Sequence, residues 1–269
     1  MPSHNRGGAR PTSAVFLYGD VSANFATVSE PFVKASGGKE SRIVLLMLPH
    51  SQQYEARYRK AWRSAGAGEV VSILPSDHLS LERDQVRSLK RSTGLFMSGG
   101  DTALYQRIYG TKSVARLIRE LHASGVPYGG VSAGAMMACE TLVVRGSMTR
   151  TRRNQFHLVA DSSRAASRSG RSGITVRTGL GLVKNCVLEP HFAEWGHFPR
   201  IIEAMKVTRS RYAVGVDASI CLEIQDGRRA IVRGQGRAYF FCRGPAKSGS
   251  PTFETRVYDP GSQFEFGSR

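Results

Sequence analysis

Short apolar runs alternate with longer amphipathic stretches along this chain, from Ala14 to about Ile231. An alternation of this kind is typical of a parallel sheet that is covered by helices on both faces. The pattern therefore predicts an α/β fold with a doubly wound, mostly parallel sheet. Neither an internal repeat nor a linker rich in proline or serine interrupts the pattern, which favours a single domain.

The apolar runs predict strands, and the amphipathic stretches between them predict helices. The predicted strands cover residues 13–18, 42–48, 70–74, 94–97, 126–131, 213–216, 219–225 and 229–232. The predicted helices cover residues 52–65, 81–92, 102–109, 112–124 and 198–206.

Three segments depart from this pattern. Residues 145–177 contain eight arginines and one acidic residue, Asp161, and show little periodicity. Their composition predicts an exposed excursion from an α/β domain that spans residues 13–243. Residues 1–12 are expected to be flexible, and residues 244–269 are expected to form a peripheral tail.

The charge of the chain is strongly positive, because its 269 residues include 38 Lys and Arg against 21 Asp and Glu, a net charge of +17. Such a field suits nucleic acid, an anionic membrane or an acidic substrate, although a bias of composition explains it equally well. The Arg-rich stretch has no nucleic-acid-binding motif and only one aromatic residue, Phe156. A nucleic-acid partner is therefore not favoured.

Membrane insertion and metal binding are not indicated either. The sequence has no signal-peptide pattern and no run of about 18 apolar residues, so a cytoplasmic protein without a membrane partner is expected. The four cysteines lie far apart without a CxxC pair, which predicts neither a zinc site nor a disulfide framework. No metal and no cofactor are predicted.

The segment from Gly130 to Gly134 has the pattern G-x-S-x-G, with Ser132 at its centre. It directly follows a predicted buried strand and directly precedes the helix-forming run 135–140. A strand that turns abruptly into a helix presents the serine hydroxyl at the carboxyl end of the sheet. A chance match in a glycine-rich chain is the alternative, but the flanking elements favour Ser132 as a nucleophile.

A serine nucleophile needs a base, and the chain has seven histidines. His191 follows the apolar run Val187-Leu188 by way of Glu189-Pro190, which places its imidazole just beyond a strand end. Active sites of doubly wound sheets lie at the carboxyl ends of strands. His191 is therefore the predicted base, and His157 is the histidine to compare with it.

A second glycine feature, Ser98-Gly99-Gly100, follows the predicted strand 94–97. Its backbone N–H groups are placed to face an oxyanion. An ordinary helix cap formed by Asp101 or Thr102 explains the same residues equally well, so both interpretations stay open.

Five segments together resemble the serine peptidase family that contains aspartyl dipeptidase (peptidase E) and cyanophycinase, over roughly residues 14–240. The resemblance implies a flavodoxin-like fold of the class I glutamine amidotransferase type, with Ser132 in place of the amidotransferase cysteine. It also implies His191 as the base and an oxyanion hole from the N–H groups of Ala133 and of Gly100 or Gly99. The five segments are residues 96–105, 129–135, 179–182, 189–192 and 214–217.

The acidic residue that this family carries shortly after the nucleophile is missing here. Residues 141–160 contain no Asp or Glu, and Ser147 and Arg150 stand about where the carboxylate is expected. A Ser-His pair without its orienting acid typically loses about four powers of ten in rate. Asn154 and Asp161, both on the Arg-rich stretch, are the candidate orienting residues.

The substrate end of the sequence combines features of both branches of the family. Thr102 is similar to the dipeptidase branch, whereas Glu189 matches an acidic position of the cyanophycinases. Trp195 and His197 replace two arginines of the cyanophycinase pattern, which leaves Arg200. The candidate substrate-binding residues are Asp101, Thr102, Glu189 and Arg200.

The sequence therefore predicts a serine hydrolase, a peptidase or isopeptidase that cuts small aspartyl or isoaspartyl peptides through a Ser-His mechanism. Its partner is expected to be a small peptide with an acidic or aspartyl-derived group, and a homodimer stays open as the assembly. The alternative is a catalytically weakened homologue that binds an anionic ligand or partner. The missing acid is what separates the two.

Overall fold

A computed structural model of the protein describes residues 13–76, 78–146, 174–246 and 251–266. Its strands are β1 Ala14–Tyr18, β2 Arg42–Leu46, β3 Glu69–Ile73, β4 Gly94–Met97, β5 Tyr128–Val131, β6 Thr141–Arg145, β7 Thr175–Thr178, β8 Cys186–Pro190, β9 Tyr212–Val216, β10 Ile220–Gln225, β11 Arg229–Gly234, β12 Ala238–Arg243, β13 Phe253–Tyr258 and β14 Gln263–Glu265. Its α-helices are α1 Phe25–Ala35, α2 Glu55–Ser64, α3 Arg83–Lys90, α4 Thr102–Tyr109, α5 Lys112–Ala123, α6 Ala133–Met137 and α7 Phe198–Thr208.

The central sheet has eight strands in the order β14-β11-β10-β1-β5-β4-β2-β3. The five strands from β1 to β3 in this order pair in parallel, whereas β10, β11 and β14 extend the β1 edge as antiparallel strands. This mostly parallel sheet confirms the predicted α/β fold class. Because the parallel strands end at the same edge, the loops after β1, β4 and β5 meet there.

A second sheet has four strands in the order β13-β12-β9-β8, and β6 pairs with β7 in a separate ladder. The connection from β9 to β10 joins the two large sheets. It lies against the end of β1, where a Cβ added at Gly19 would stand 2.1 Å from the Asp217 carbonyl oxygen. The carboxyl ends of β1 and β9 are therefore in direct contact, and only glycine fits at residue 19.

Both faces of the central sheet are covered by apolar side chains. In β1, Val15 and Leu17 belong to one core cluster, whereas Phe16 and Tyr18 belong to another. Successive residues of a strand point to opposite faces, so the two clusters lie on the two sides of the sheet. The second cluster is rich in aromatic side chains, which include Phe25, Phe32, Tyr58, Trp62 and Phe96.

The structure adds one helix that the pattern did not predict. Helix α1 contains Pro31, and a proline inside a helical pattern usually ends or kinks the helix, which argues against a helix from the sequence alone. Its buried residues include Phe25, Val28 and Phe32. Their spacing of three and then four residues is the helical signal that could have revealed it.

The C-terminal segment takes part in both large sheets, which differs from the expected peripheral tail. Residues 244–269 were expected at the periphery, whereas β13 pairs with β12 and β14 pairs with β11. Phe264 and Phe266 from this stretch are buried. At the Arg-rich stretch, residues 145 and 175 are paired in the β6–β7 ladder.

Candidate active site

The serine elbow lies between β5 and α6. Ser132 has a φ of 52° and a ψ of −115°, and positive φ is uncommon for a residue other than glycine. Its N–H donates to the Tyr18 carbonyl of β1 at 3.0 Å, which ties the turn to the neighbouring strand. The sharp turn that the G-x-S-x-G pattern predicted is therefore present at the carboxyl edge of the sheet.

Close packing around this elbow requires residues without a side chain. A Cβ added at Gly134 would lie 2.1 Å from the Met97 carbonyl oxygen, and one added at Gly130 would lie 2.3 Å from the Gly134 carbonyl oxygen. Both distances are much shorter than a van der Waals contact. The two glycines of the motif therefore allow β4, β5 and α6 to meet at the nucleophile.

His191 directly follows β8 and also has a positive φ, 49°. Its Nε2 atom lies 3.0 Å from Oγ of Ser132, a distance at which the hydroxyl can donate a hydrogen bond to the ring. The structure thus brings the two predicted residues together. They come from different sheets, because β8 belongs to the four-stranded sheet and β5 to the central one.

Two carboxylates and a second histidine surround the imidazole. Oδ2 of Asp20, which follows β1, lies 3.8 Å from Nδ1 of His191, beyond hydrogen-bond distance. Burial lowers the pKa of His191, Asp20 and Glu194 raise it, and His197 lowers it, so that the pKa lies below its usual value. The imidazole is therefore neutral at neutral pH and free to accept a proton.

Sequence reasoning missed Asp20 and Glu194. Asp20 stands at a strand end on the same edge of the sheet as Ser132, which is the signal that could have found it. Glu194 lies in the turn after His191, and its Oε1 accepts a hydrogen bond from the Ala218 N–H at 2.9 Å. The predicted orienting residues, Asn154 and Asp161, lie outside the described residues.

Asp217 anchors the turn that carries His191. Its carboxylate accepts hydrogen bonds from the N–H groups of Ala193 at 3.2 Å and of Arg237 at 2.9 Å. Burial raises its pKa, and these two hydrogen bonds lower it only in part. The resemblance marked Asp217 as part of a motif, and the structure places it at the junction of β9 and the histidine turn.

Glu189 is fully buried within a cluster of ionisable groups. Its Oε2 lies 3.2 Å from Nδ1 of His197, and its Oε1 lies 3.2 Å from Nε of Arg200. Nδ1 of His197 is also 3.1 Å from the Pro190 carbonyl oxygen. Two of the predicted substrate-binding residues, Glu189 and Arg200, are therefore ion-paired with each other.

The loop after β4 passes directly beside the nucleophile. A Cβ added at Gly99 would lie 3.4 Å from Cβ of Ser132. Asp101 accepts a hydrogen bond from the Leu104 N–H at 2.8 Å and caps α4, so it has the role of a helix cap. Thr102 begins α4, and its Oγ1 lies 3.9 Å from Sδ of Met136.

Gly99 and Gly100 differ in their backbone contacts and conformation. Burial raises the pKa of the Tyr58 phenol, and a hydrogen bond with the backbone of Gly99 lowers it in part. Gly100 has a φ of 147°, a conformation that side chains rarely adopt.

The described part of the chain contains neither a membrane-spanning helix nor a cluster of metal ligands. No helix there is both long and apolar enough to cross a membrane. The described ranges also contain no group of three or more His, Cys, Asp or Glu side chains that could hold a metal ion. All four cysteines carry free thiols.

The model of Peptidase family S51 matches residues 21–232, a range that includes both Ser132 and His191. The chain belongs to peptidase family S51. This S51 chain is 26% identical to a cyanophycinase of Synechococcus elongatus over 181 residues, which are 66% of the chain and 51% of that protein. It therefore spans about half the length of this curated relative.

Solved structures share the fold of this S51 chain. A peptidase from an acI-B1 Actinobacterium superposes with a TM-score of 0.63 at 16% identity, over 96% of this chain and 98% of that one. A peptidase E-like protein from Listeria monocytogenes EGD-e superposes with a TM-score of 0.53 at 18% identity, over 84% and 100%. At these identities, the likeness concerns the fold alone.

Proposed function

We propose that this S51 chain is a serine-type peptidase in which Ser132 is the nucleophile and His191 is the general base. The observation that carries this proposal is the distance of 3.0 Å between Oγ of Ser132 and Nε2 of His191 at a strained elbow. Family membership supports a peptidase, and the lowered pKa of His191 supports a neutral base.

In the proposed reaction, Oγ of Ser132 attacks the scissile carbonyl carbon while its proton passes to Nε2 of His191. Attack forms the Oγ–C bond and a tetrahedral oxyanion. When this intermediate collapses, the C–N bond breaks, the imidazolium gives its proton to the leaving amine, and the acyl group stays on Ser132. A water molecule, activated by the same imidazole, releases the acyl group. Asp20 supplies a carboxylate on the Nδ1 side, at 3.8 Å.

The N–H groups of Ala133 and Gly100 are the proposed oxyanion donors. Ala133 follows the nucleophile and begins α6. Gly100 is favoured over Gly99, because the backbone of Gly99 is already engaged with the Tyr58 phenol.

The proposed substrates are small peptides with an aspartyl or isoaspartyl residue at the cleaved bond. The similarity to proteins named cyanophycinase supports this class of substrate. The resemblance of the sequence motifs to the aspartyl dipeptidase and cyanophycinase family supports it as well. Arg200, Asp101 and Thr102 stay candidates for substrate contact. A dipeptide and isodipeptide library tests the class, and equal cleavage with and without an aspartyl residue would remove it.

Labelling with a fluorophosphonate tests the nucleophile without any knowledge of the substrate. The wild type should be labelled at Ser132, and Ser132→Ala should lose both labelling and peptidase activity by about a thousandfold or more. Ser64→Ala, which alters an exposed serine of α2, is the matched control and should label normally. His191→Gln should slow labelling strongly, whereas His157→Ala should not.

The results that contradict the proposal are equally definite. More than a few per cent of residual activity in Ser132→Ala would exclude it as the nucleophile. If the folded wild type takes up no label, the alternative of a catalytically weakened homologue replaces the proposal.

A further inference from the structure

The indole of Trp195 lies flat against the proposed base. The ring centroids of Trp195 and His191 are 4.1 Å apart, and the two planes are inclined by only 17°. The imidazole is nearly buried, whereas Trp195 is 44% exposed. One face of the indole therefore covers the imidazole while the side chain as a whole reaches solvent.

The local backbone produces this stack. The Trp195 N–H donates to the His191 carbonyl at 3.0 Å, which closes a single turn and brings residue 195 back over residue 191. Gly196 follows with a φ of 62°, and the His197 N–H then donates to the Phe192 carbonyl at 3.0 Å. The position of the indole is thus set by the backbone of the turn, not by a chance contact.

The nearest described carboxylate, that of Asp20, neutralises the charge of a His191 imidazolium only in part. Oδ2 of Asp20 lies 3.8 Å from Nδ1, and the Asp20 side chain is 52% exposed, so water screens its charge. The positive charge that develops on His191 during attack therefore needs further stabilisation.

We propose that Trp195 stabilises the imidazolium form of His191 through the electron-rich face of its indole, as a positioning residue for the proposed base. This inference rests on the proposed function. A cation over the face of an aromatic ring, within about 6 Å of the centroid, is attracted by the ring quadrupole, and Trp is the strongest of the aromatic partners. Since the attraction acts on the charged form only, it favours proton transfer from Ser132.

Other groups also act on His191, and the experiment must separate them from Trp195. Asp20 faces it from the end of β1, Ser132 from the elbow, and Glu194 and His197 from its own turn. Asp217 holds the same turn from the end of β9. None of these side chains is itself replaced in a variant of Trp195, but Trp195 also packs edge-on against the His197 ring, with the centroids 5.5 Å apart. Trp195→Phe is therefore read beside Trp195→Leu, because Phe keeps an aromatic ring at this position.

Removal of the indole has two opposite effects, and their signs identify the mechanism. Loss of the cation–π attraction lowers the pKa of His191, whereas loss of apolar cover lets water in and raises it. Trp195→Leu keeps apolar cover but removes the aromatic face. This substitution should lower the pKa of His191 by about half a unit, and Trp195→Phe should lower it by less.

The pKa is read from the ring proton signals of His191 by NMR, assigned with His191→Gln, and needs no activity. Phe198→Leu is the matched control, since Phe198 is also 44% exposed and contacts Phe241 instead of the imidazole. It should leave the pKa unchanged. The labelling rate of Ser132 by a fluorophosphonate should fall about threefold in Trp195→Leu.

Fluorescence supplies a second readout, because the chain contains only two tryptophans and the other, Trp62, is fully buried. A protonated imidazole in contact with an indole quenches its emission. Emission should therefore rise as the pH increases through the pKa of His191. The pH dependence should disappear in His191→Gln and in Trp195→Phe.

An unchanged or raised pKa in Trp195→Leu would overturn the inference and leave Trp195 as a cover only. Emission that does not titrate in the folded wild type would overturn the stack itself. Failure of the proposed function has a different signature, namely no labelling of Ser132 although the pKa shift and the emission change are both present.

Discussion

Ser132 and His191 meet at one point but are held there by different kinds of contact. Backbone groups hold the serine: its N–H bonds to the Tyr18 carbonyl, and Gly130 and Gly134 allow backbones to touch. Side chains surround the histidine, with Trp195 on its face and Asp20 near Nδ1. The packing around Ser132, the serine half of the site, therefore depends on the absence of side chains. The surroundings of His191, the histidine half, depend on which side chains are present.

The largest effect is expected from a methyl group in the serine half. Gly134→Ala places a Cβ 2.1 Å from the Met97 carbonyl oxygen, and no rotamer change relieves a clash with backbone. The free energy of unfolding should fall by about 3 kcal/mol, with loss of activity. Chemical denaturation measures this change.

Gly66→Ala is the control for that substitution. A Cβ there meets no atom within 4 Å, and its only strain comes from a φ of 85°, so it should cost about 1 kcal/mol and leave activity intact. Equal costs for the two substitutions would mean that close backbone approach does not hold the elbow.

A smaller loss of stability is expected from the buried ionisable cluster next to His191. Glu189→Gln removes the charge that His197 and Arg200 share in a buried cluster, and should lower the free energy of unfolding by about 2 kcal/mol. Glu203→Gln, on the helix α7 that also carries Arg200, is the control. Glu203 pairs with half-exposed Lys206 at 3.6 Å, so its substitution should cost under about 0.5 kcal/mol. If Glu189→Gln instead raises KM without loss of stability, Glu189 binds substrate.

Asp20→Asn tests the charge that faces Nδ1. A carboxylate 3.8 Å away and half exposed should contribute about tenfold to kcat/KM, far less than a buried acid that is hydrogen-bonded to its histidine. High salt should shrink the difference from the wild type. Asp226→Asn, which alters an exposed turn, is the control and should have no effect on kcat/KM. A thousandfold loss in Asp20→Asn would show that the Asp20 carboxylate moves into hydrogen-bond contact with His191.

The smallest effect is a displacement of the pH profile. His191 must be neutral to act as a base, so kcat/KM falls as the pH drops through its pKa, and burial places that pKa below the usual 6.5. Since Asp20 raises the pKa, Asp20→Asn should move this acid limb to still lower pH. An acid limb above pH 6.5 in the wild type would contradict a His191 pKa that burial lowers.

The sequence predicted most accurately what local patterns encode. The predicted strand 94–97 and helix 102–109 begin and end at the observed residues, because glycines and the cap Asp101 mark the boundary between them. Ser132 and His191 were predicted because each follows a buried strand, and the structure brings them within 3.0 Å of each other; their catalytic roles stay predictions. Helix α1 was missed although its buried residues have helical spacing, and Pro31 inside it is a local signal against a helix.

Contacts between distant segments were beyond the reach of these patterns. Asp20 and His191 are far apart along the chain, and their contact depends on how the β9–β10 connection crosses between the sheets. Trp195 was recognised only as a departure from an arginine pattern, because stacking on His191 requires the turn geometry. Asn154 and Asp161 stay predictions.

The separate origin of the two proposed catalytic residues has a consequence for how this protein loses activity. The distance of 3.0 Å between Oγ and Nε2 spans two sheets that share a core but no hydrogen-bonded strands in the described chain. A slide of one sheet by about 1 Å breaks this contact, although every ladder within each sheet survives. Warming should therefore abolish the proposed peptidase activity before circular dichroism records any loss of strand or helix.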